Sequence, residues 1–420
     1  MKELITNITE LLGVESPETV LRPGDAQGKT GVLKDAFLEI EDGKITNMGT
    51  MDQLSAIDVA NVSEIHDAAG RVVFPAFVDS HTHLVFASTR EGEFEDRIKG
   101  LTYQEIASKG GGILNSARKL ADMDEEDLFD QTWERLQNVL KTGTGAIEIK
   151  SGYGLSPKAE IKILRVIKRI AKFSPIPVVA TFLGAHAFPA EFKENHRGYI
   201  DQIIHEMLPV IAQEGLAQFI DVFCEKGYFS VSEMTEILEA GIACGLKPKV
   251  HVNQFNSLGG IAQCVSQNAV SVDHLEVMKP EDIEALKNSN TMPTVLPSCS
   301  FFLGIPYAPV RELLDAGLPV ALATDYNPGS TPSGNMEFIL SLACIKYKMT
   351  PREALTGCTL HGAKAIGLES EIGSISKGKR ANFIISKPVN TFAQIPYSFG
   401  ESNIDKLFID GKIITPQNES

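Results

Sequence analysis

Five of the nine histidines in this chain stand at or beside the ends of short apolar runs: His81 and His83 in FVDSHTH, His186 in FLGAH, His251 in KPKVHV and His274 in VSVDHLE. Another such run, PVALATDY, brings Asp325 to its end. Three imidazoles and one carboxylate make a ligand set suited to zinc or iron, with coordination space left for a water. A metal held that way lowers the pKa of its water towards about 7, which is the chemistry of hydrolysis. Residues two apart in an extended strand face the same way, so His81 and His83 can be aimed at one ion. A lone histidine at a strand end is more often a satisfied core or rim residue; joint placement is what distinguishes these five. His66, His196, His205 and His361 fall elsewhere and read as surface or capping residues.

The runs that must position these groups number eight: RVVFPAFVDSHTH, GTGAIEIKSG, IPVVATFLGAH, QFIDVFCE, KPKVHVNQF, AVSVDHLE, TMPTVLPSC and PVALATDY. Amphipathic stretches such as SPKAEIKILRVIKRIAKF and SVSEMTEILEAGIACG separate most of them. Eight βα units in about 295 residues predict a (β/α)8 TIM-like barrel, whose active site is built at the C-terminal ends of the strands. The polar ends of the runs are those ends. Thr350, Pro351 and Glu353 open a capped helix that Gly367 closes. Outside the barrel, DAFLEIEDGKITNMG and LFIDGKIITP each place Asp-Gly between apolar runs, a hairpin signature. Both termini thus predict one small β-sandwich lobe, 1–70 plus 366–420, around a barrel spanning 71–365.

Composition narrows the partners. The chain has 420 residues, 43% hydrophobic and 22% charged, with 39 Lys+Arg against 54 Asp+Glu for a net charge of −15. Such a surface repels phosphate backbones and anionic headgroups, so no nucleic-acid or membrane partner is expected. No run approaches the roughly 18 apolar residues of a membrane helix. The opening MKELITNITELLGV lacks the apolar core of a signal peptide. Six cysteines, Cys224, Cys244, Cys264, Cys299, Cys344 and Cys358, are scattered singly, which suits a reducing, cytoplasmic compartment.

FVDSHTH, the HVNQ after run five, the Asp-His of VDHLE and ATDYNPGS together resemble the amidohydrolase superfamily. SHTHLVFASTREGEF, EIKSGYGL, FLGAHAFP and TDYNPGS, in that order, resemble its imidazolonepropionases, enzymes of histidine degradation that open the ring of 4-imidazolone-5-propanoate to N-formimidoyl-L-glutamate. The resemblance covers nearly the whole chain. It implies one divalent or trivalent ion, zinc or iron, on His81, His83, His251 and Asp325. Binuclear relatives bridge two metals with a lysine ending strand four, where this chain has Cys224-Glu225; Lys150 ends run two and reads as an ordinary salt bridge near the rim. Substrate contacts implied by the resemblance are Tyr153, His186, Gln254, Asn327, Gly329 and Ser330, with a homodimer as the expected assembly.

Asp325 is then the group to accept the water's proton and return it to the departing ring nitrogen, with His274 orienting the water or polarising the carbonyl. The anionic propionate tail calls for a fixed cation. Arg90, with its planar fork, is the candidate over Lys109 or Lys119, and Gly329 and its neighbours can offer backbone N–H groups. Gln254 stands where related deaminases carry a proton-shuttling glutamate, and an amide cannot do that work. Two other readings remain: a different cyclic-amide hydrolase or a deaminase, and a barrel kept as an inactive scaffold.

Overall fold

A computed structural model describes residues 2–55, 59, 62–101, 105 and 111–415. Lys109, the weaker rival to Arg90, lies outside the described residues. Eight strands form the inner sheet: Phe77–Asp79, Thr144–Lys150, Val178–Ala185, Phe219–Cys224, Lys247–Val252, Ser271–His274, Met292–Val295 and Ala321–Leu322. Every neighbouring pair is parallel. Each strand falls in one of the eight apolar runs.

Beyond the last strand the chain closes the ring. Thr82 and Tyr326 form a parallel bridge, the Asp325 N–H donates to the His81 carbonyl at 2.9 Å, and the His83 N–H donates to the Tyr326 carbonyl at 2.8 Å. A side chain stitches the same seam one step earlier. Asp79, fully buried on the first strand, accepts from the Thr324 N–H at 3.0 Å and from its hydroxyl at 2.6 Å. The closure therefore fixes His81, His83 and Asp325 relative to one another.

The first run is not one strand. Val72–Pro75 pairs with Phe383–Ser386 in the terminal sheet, whereas Phe77–Asp79 pairs with Thr144–Lys150 in the barrel. Ala76 is the crossing point: its N–H goes to the Asn382 carbonyl, and the next N–H, of Phe77, goes to Gly143. RVVFPAFV is apolar throughout because both sheets bury it, so composition does not reveal the change of partner.

The terminal lobe joins Lys2–Val14, Gly31–Glu41, Lys44–Thr50, Glu64–Asp67, Val72–Pro75, Phe383–Ser386, Ile404–Ile409 and Lys412–Ile414 in one hydrogen-bonded sheet. Its core includes Ile5, Leu38, Ile40 and the stacked pair Phe383 and Phe408, with ring centroids 4.5 Å apart. Asp42-Gly43 (φ 49° and 79°) and Asp410-Gly411 (φ 49° and 73°) both take the positive angles that two-residue hairpins need.

The helix expected from Thr350 begins there, and two others start at side-chain caps. Ser156 caps Pro157–Phe173, whose Ile163, Leu164, Ile167 and Ile170 are buried. Ser230 with Glu233, and Thr350 with Glu353, close capping boxes. The helix from Pro351 contains a wider π turn over Gly357–His361 and ends before Gly367 at φ 72°. That turn buries His361, read from sequence as a surface or capping residue: its Nδ1 donates to the Val320 carbonyl at 3.0 Å and its Nε2 accepts from the Arg22 N–H at 3.2 Å. His66 is likewise buried, edge-on to Phe408, while His205 is exposed.

Replacing Thr324 by Val keeps its shape and removes one donor to the buried Asp79 carboxylate. A loss of about 1–3 kcal/mol is expected, read as a lower urea midpoint. An unchanged midpoint would show that the seam does not depend on this bond.

Candidate metal centre and active site

Strand alternation and cross-strand carboxylates together aim the imidazoles. Asp273 Oδ2 accepts from His81 Nδ1 at 2.6 Å, and Asp221 Oδ2 accepts from His251 Nδ1 at 2.9 Å. Because a carboxylate accepts, Nδ1 carries the proton in both rings and Nε2 keeps its lone pair. Those two Nε2 atoms are buried with no hydrogen-bond partner. His81, His83 and His251 present ligand atoms within 4.8 Å of one another, and Asp325 Oδ1 lies 3.6 Å from Nε2 of both His81 and His83. Orphaned nitrogens inside a protein are costly, and convergent ones facing a carboxylate fit a zinc- or iron-sized cation. Burial also holds the His81 and His83 imidazoles well below their usual pKa, hence neutral and able to ligate.

Two of the groups occupy unusual backbone. Asp325 has φ 58° and His274 φ 91°, left-handed values that side-chain-bearing residues seldom adopt. The turn at Asp325 is stabilised by Asn327, whose Nδ2 donates to the Asp325 carbonyl at 2.7 Å, and by the Ser330 hydroxyl, which donates to Asp325 Oδ2 at 3.1 Å. Burial pushes the Asp325 carboxyl up in pKa, against the nearby His274 and His251 and these bonds. Burial would lower His274, but Glu276, with Oε1 3.5 Å from Nδ1, outweighs it and raises the imidazole.

Arg90, Tyr153, His186, Gln254, Asn327, Gly329 and Ser330 all line one cavity of about 650 Å³, so the structure brings together every residue assigned to substrate by resemblance. The cavity adjoins the ligand cluster, since Ser330 touches Asp325 and the His186 ring stacks on His83 with centroids 5.3 Å apart. His186 Nδ1 donates to the Gly152 carbonyl at 3.0 Å; burial depresses its pKa to about 3, leaving Nε2 as an acceptor. Tyr153 stands edge-on to both His83 and His186. Gln254 Nε2 donates to the Cys299 sulfur at 3.4 Å. Arg90 Nε donates to the Ser116 hydroxyl at 2.9 Å, while its Nη2 is buried without a partner. Gly329 makes room for that guanidinium: a Cβ there would sit 2.6 Å from Arg90 Nη1. Its N–H, read from sequence as a donor to ligand, is given to Asn327 Oδ1 at 2.7 Å, as is that of Ser330 at 2.8 Å. Lys119 bonds the Ser88 hydroxyl at 3.2 Å and is absent from the cavity lining.

The model of the amidohydrolase family matches residues 72–414. Imidazolonepropionase of Flavobacterium johnsoniae is 58% identical over 99% of this chain and 100% of its own length; that of Flavobacterium psychrophilum is 55% identical with the same coverage. The chain belongs to the imidazolonepropionases, within the amidohydrolase family. Like them it is a hydrolase of a carbon–nitrogen bond in a cyclic amide. A crystal structure of an adenosine deaminase from Xanthomonas campestris with bound zinc shares the fold, with a TM-score of 0.68 and 16% identity, covering 98% of this chain and 92% of that one.

Several groups at the site were given no role in the sequence analysis. Asp221, a charge inside the run QFIDVF, and Asp273, quoted above in VDHLE without a role, are the carboxylates behind the histidines. A buried charge must be paired, which is the signal that marks them. Arg97 also lines the cavity and donates to the Gly329 carbonyl at 3.0 Å; it lies in the helix Glu91–Ile98, which Arg90 precedes as the N-cap residue. Glu225 accepts from the Phe255 and Asn256 N–H groups and so shapes the loop after His251. Lys150 is paired, as expected of a salt bridge, but fully buried rather than at a solvated rim.

Zinc added to metal-stripped protein is expected to raise Tm, since a ligand that binds only the folded state at a hundredfold excess over Kd contributes about 2.7 kcal/mol. His251→Ala should remove the rise. A wild-type Tm indifferent to zinc and ferrous iron, or a rise that survives in the variant, would contradict the centre.

Proposed function

We propose that the chain hydrolyses 4-imidazolone-5-propanoate to N-formimidoyl-L-glutamate with one ion, zinc or iron, held by His81, His83, His251 and Asp325. When bound, that ion supplies Lewis-acid activation of a water at neutral pH. The observation that carries the reading is the position of Asp325. One carboxylate oxygen faces the imidazole nitrogens at 3.6 Å and the other is held at 3.1 Å by Ser330, which lines the cavity. A base in that position is in reach of both a water at the cluster and a substrate above it.

The propionate binds at Arg90, whose free Nη2 and planar fork suit a carboxylate, with Tyr153 packing beside the guanidinium 5.6 Å from its ring centroid. That contact orients the ring carbonyl towards His274, which polarises it. Asp325 takes the proton of the attacking water, the ring C–N bond breaks, and the proton passes to the departing nitrogen. His186 Nε2 accepts from a ring N–H, and Gln254, Asn327, Gly329 and Ser330 complete the wall. Gln254, an amide, leaves proton transfer to Asp325 and His274, which favours ring opening over glutamate-driven deamination. A homodimer in the cytoplasm completes the proposal: the resemblance supports the assembly, and six unpaired cysteines support a reducing compartment. No helix among the described residues is long and apolar enough to cross a membrane.

Metal-loaded protein is expected to consume the imidazolone, followed by its ultraviolet absorbance, well above spontaneous decay. Asp325→Asn should abolish this turnover with little change in unfolding midpoint. Full activity in the variant would refute the role. Arg90→Ala should act on KM, by about 2–5 kcal/mol or roughly 30-fold and more, because it leaves the propionate unpaired in a buried site. An unchanged KM would assign the tail to another cation.

A further inference from the structure

Beneath the metal centre lies a layer of charges with no access to solvent: Glu148, Lys150, Asp221, Lys249 and Asp273 are all between 0% and 1% exposed. Lys150 occupies its middle. Its ammonium lies 2.9 Å from Glu148 Oε1, 2.9 Å from Asp221 Oδ2 and 3.8 Å from Asp273 Oδ2. The last two oxygens are the same ones that accept from His251 Nδ1 and His81 Nδ1. A single cation thus stands directly behind two of the three imidazoles, one atom removed from each.

We propose that Lys150 is the positioning residue of the metal centre, fixing the direction of the His251 lone pair through Asp221, which it hydrogen-bonds, and that of His81 through Asp273, whose charge it faces at 3.8 Å. The proposal rests on the metal-ligand reading above, which zinc binding by the wild-type protein tests separately. Without the ammonium, Asp221 Oδ2 would lose its lysine partner and Asp273 Oδ2 would keep only Lys249 at 4.0 Å, leaving excess negative charge in a low-dielectric interior that would turn the carboxylates from the rings. Other contacts do not replace it. Asp221 Oδ1 accepts from the His251 N–H at 3.0 Å and Asp273 Oδ1 from the Ser271 hydroxyl at 2.6 Å, which hold the far oxygens and leave the ring-facing oxygen of Asp221 to Lys150. Lys249 donates to the Ala365 carbonyl at 2.9 Å and the Ser80 carbonyl at 3.3 Å, and it lies 3.7 Å from Glu148 Oε1 and 4.0 Å from Asp273 Oδ2, so it shares Asp273 with Lys150 but does not reach Asp221. Glu148 anchors Lys150 from the other side and is itself held by the Thr181 hydroxyl. His83, by contrast, has a buried Nδ1 with no partner and depends on stacking against His186.

The test is metal affinity and ligand-field geometry in Lys150→Met, which keeps length and removes charge, and in Lys150→Met with Glu148→Gln, which removes one charge of each sign and touches neither imidazole-bonded aspartate. Zinc affinity is measured by chelator competition, the visible spectrum is recorded on the cobalt(II) form, and Tm is measured on metal-free protein. Zinc affinity is expected to fall about 10–100-fold in each variant that folds, as for other groups that orient a ligand from behind, with shifted cobalt bands. Lys150→Arg, which keeps the charge, is expected to stay nearer wild type. If Lys150→Met does not fold, the charge-balanced variant decides. Wild-type zinc affinity and an unchanged cobalt spectrum in a folded charge-removing variant would overturn the proposal and leave Lys150 a purely structural ion pair.

Discussion

Two buried carboxylates decide which way two imidazoles point, and the centre depends on that. With Nδ1 of His81 and His251 committed to Asp273 and Asp221, the Nε2 lone pairs turn inward to the space shared with His83 and Asp325. One of these supports comes from the adjacent strand and the other from across the barrel. Neither survives unless the barrel closes in register and the charges behind it are balanced. Closure is enforced at the seam by Asp79 and Thr324 and by the backbone bonds of His81, His83, Asp325 and Tyr326. Balance is supplied by two lysines against three carboxylates, a deficit of one positive charge before Asp325 and a metal ion are added. A buried ion network contributes little net stability, so its presence under a cluster of ligands reads as positioning.

Much of this was written in residue types and spacing. His81 and His83 share a face because strands alternate, and Asp325 stands where the eighth apolar run turns polar. The caps at Ser156, Ser230 and Thr350 and the two Asp-Gly hairpins obey local rules that tertiary contacts did not override. What escaped was set by partners distant in sequence. Residues 72–79 read as one strand because both sheets they enter bury apolar side chains, and only hydrogen bonding to Asn382 and then Gly143 shows the switch at Ala76. His361 passed for a surface residue because its partners, Arg22 and Val320, lie 339 and 41 residues away. Lys150 was legible as a pair but not as a hub, since alternation says that Glu148 and Lys150 face together without saying that Asp221 and Asp273 meet them there.

The cavity wall carries local positive charge within an acidic protein. The chain carries a net charge of −15, yet its cavity is lined by Arg90 and Arg97, from the start and the last turn of the helix Glu91–Ile98, above a centre suited to a cation. Gly329 lets the Arg90 guanidinium lie where it does, because a Cβ there would sit 2.6 Å from Nη1 and push it away from the loop that also carries Asn327 and Ser330. The loop after the eighth strand spans both regions: Asp325 faces the imidazoles, and Asn327, Gly329 and Ser330 line the cavity.

Anomalous diffraction from crystals of zinc-loaded protein tests the central claim most directly, because a second group of potential ligands, His274, Glu276 and Cys299, lies close by. The account predicts one principal peak within bonding distance of Nε2 of His81, His83 and His251 and of an Asp325 carboxylate oxygen. A principal peak on the His274, Glu276 and Cys299 group, with the three imidazoles left unligated, would contradict it.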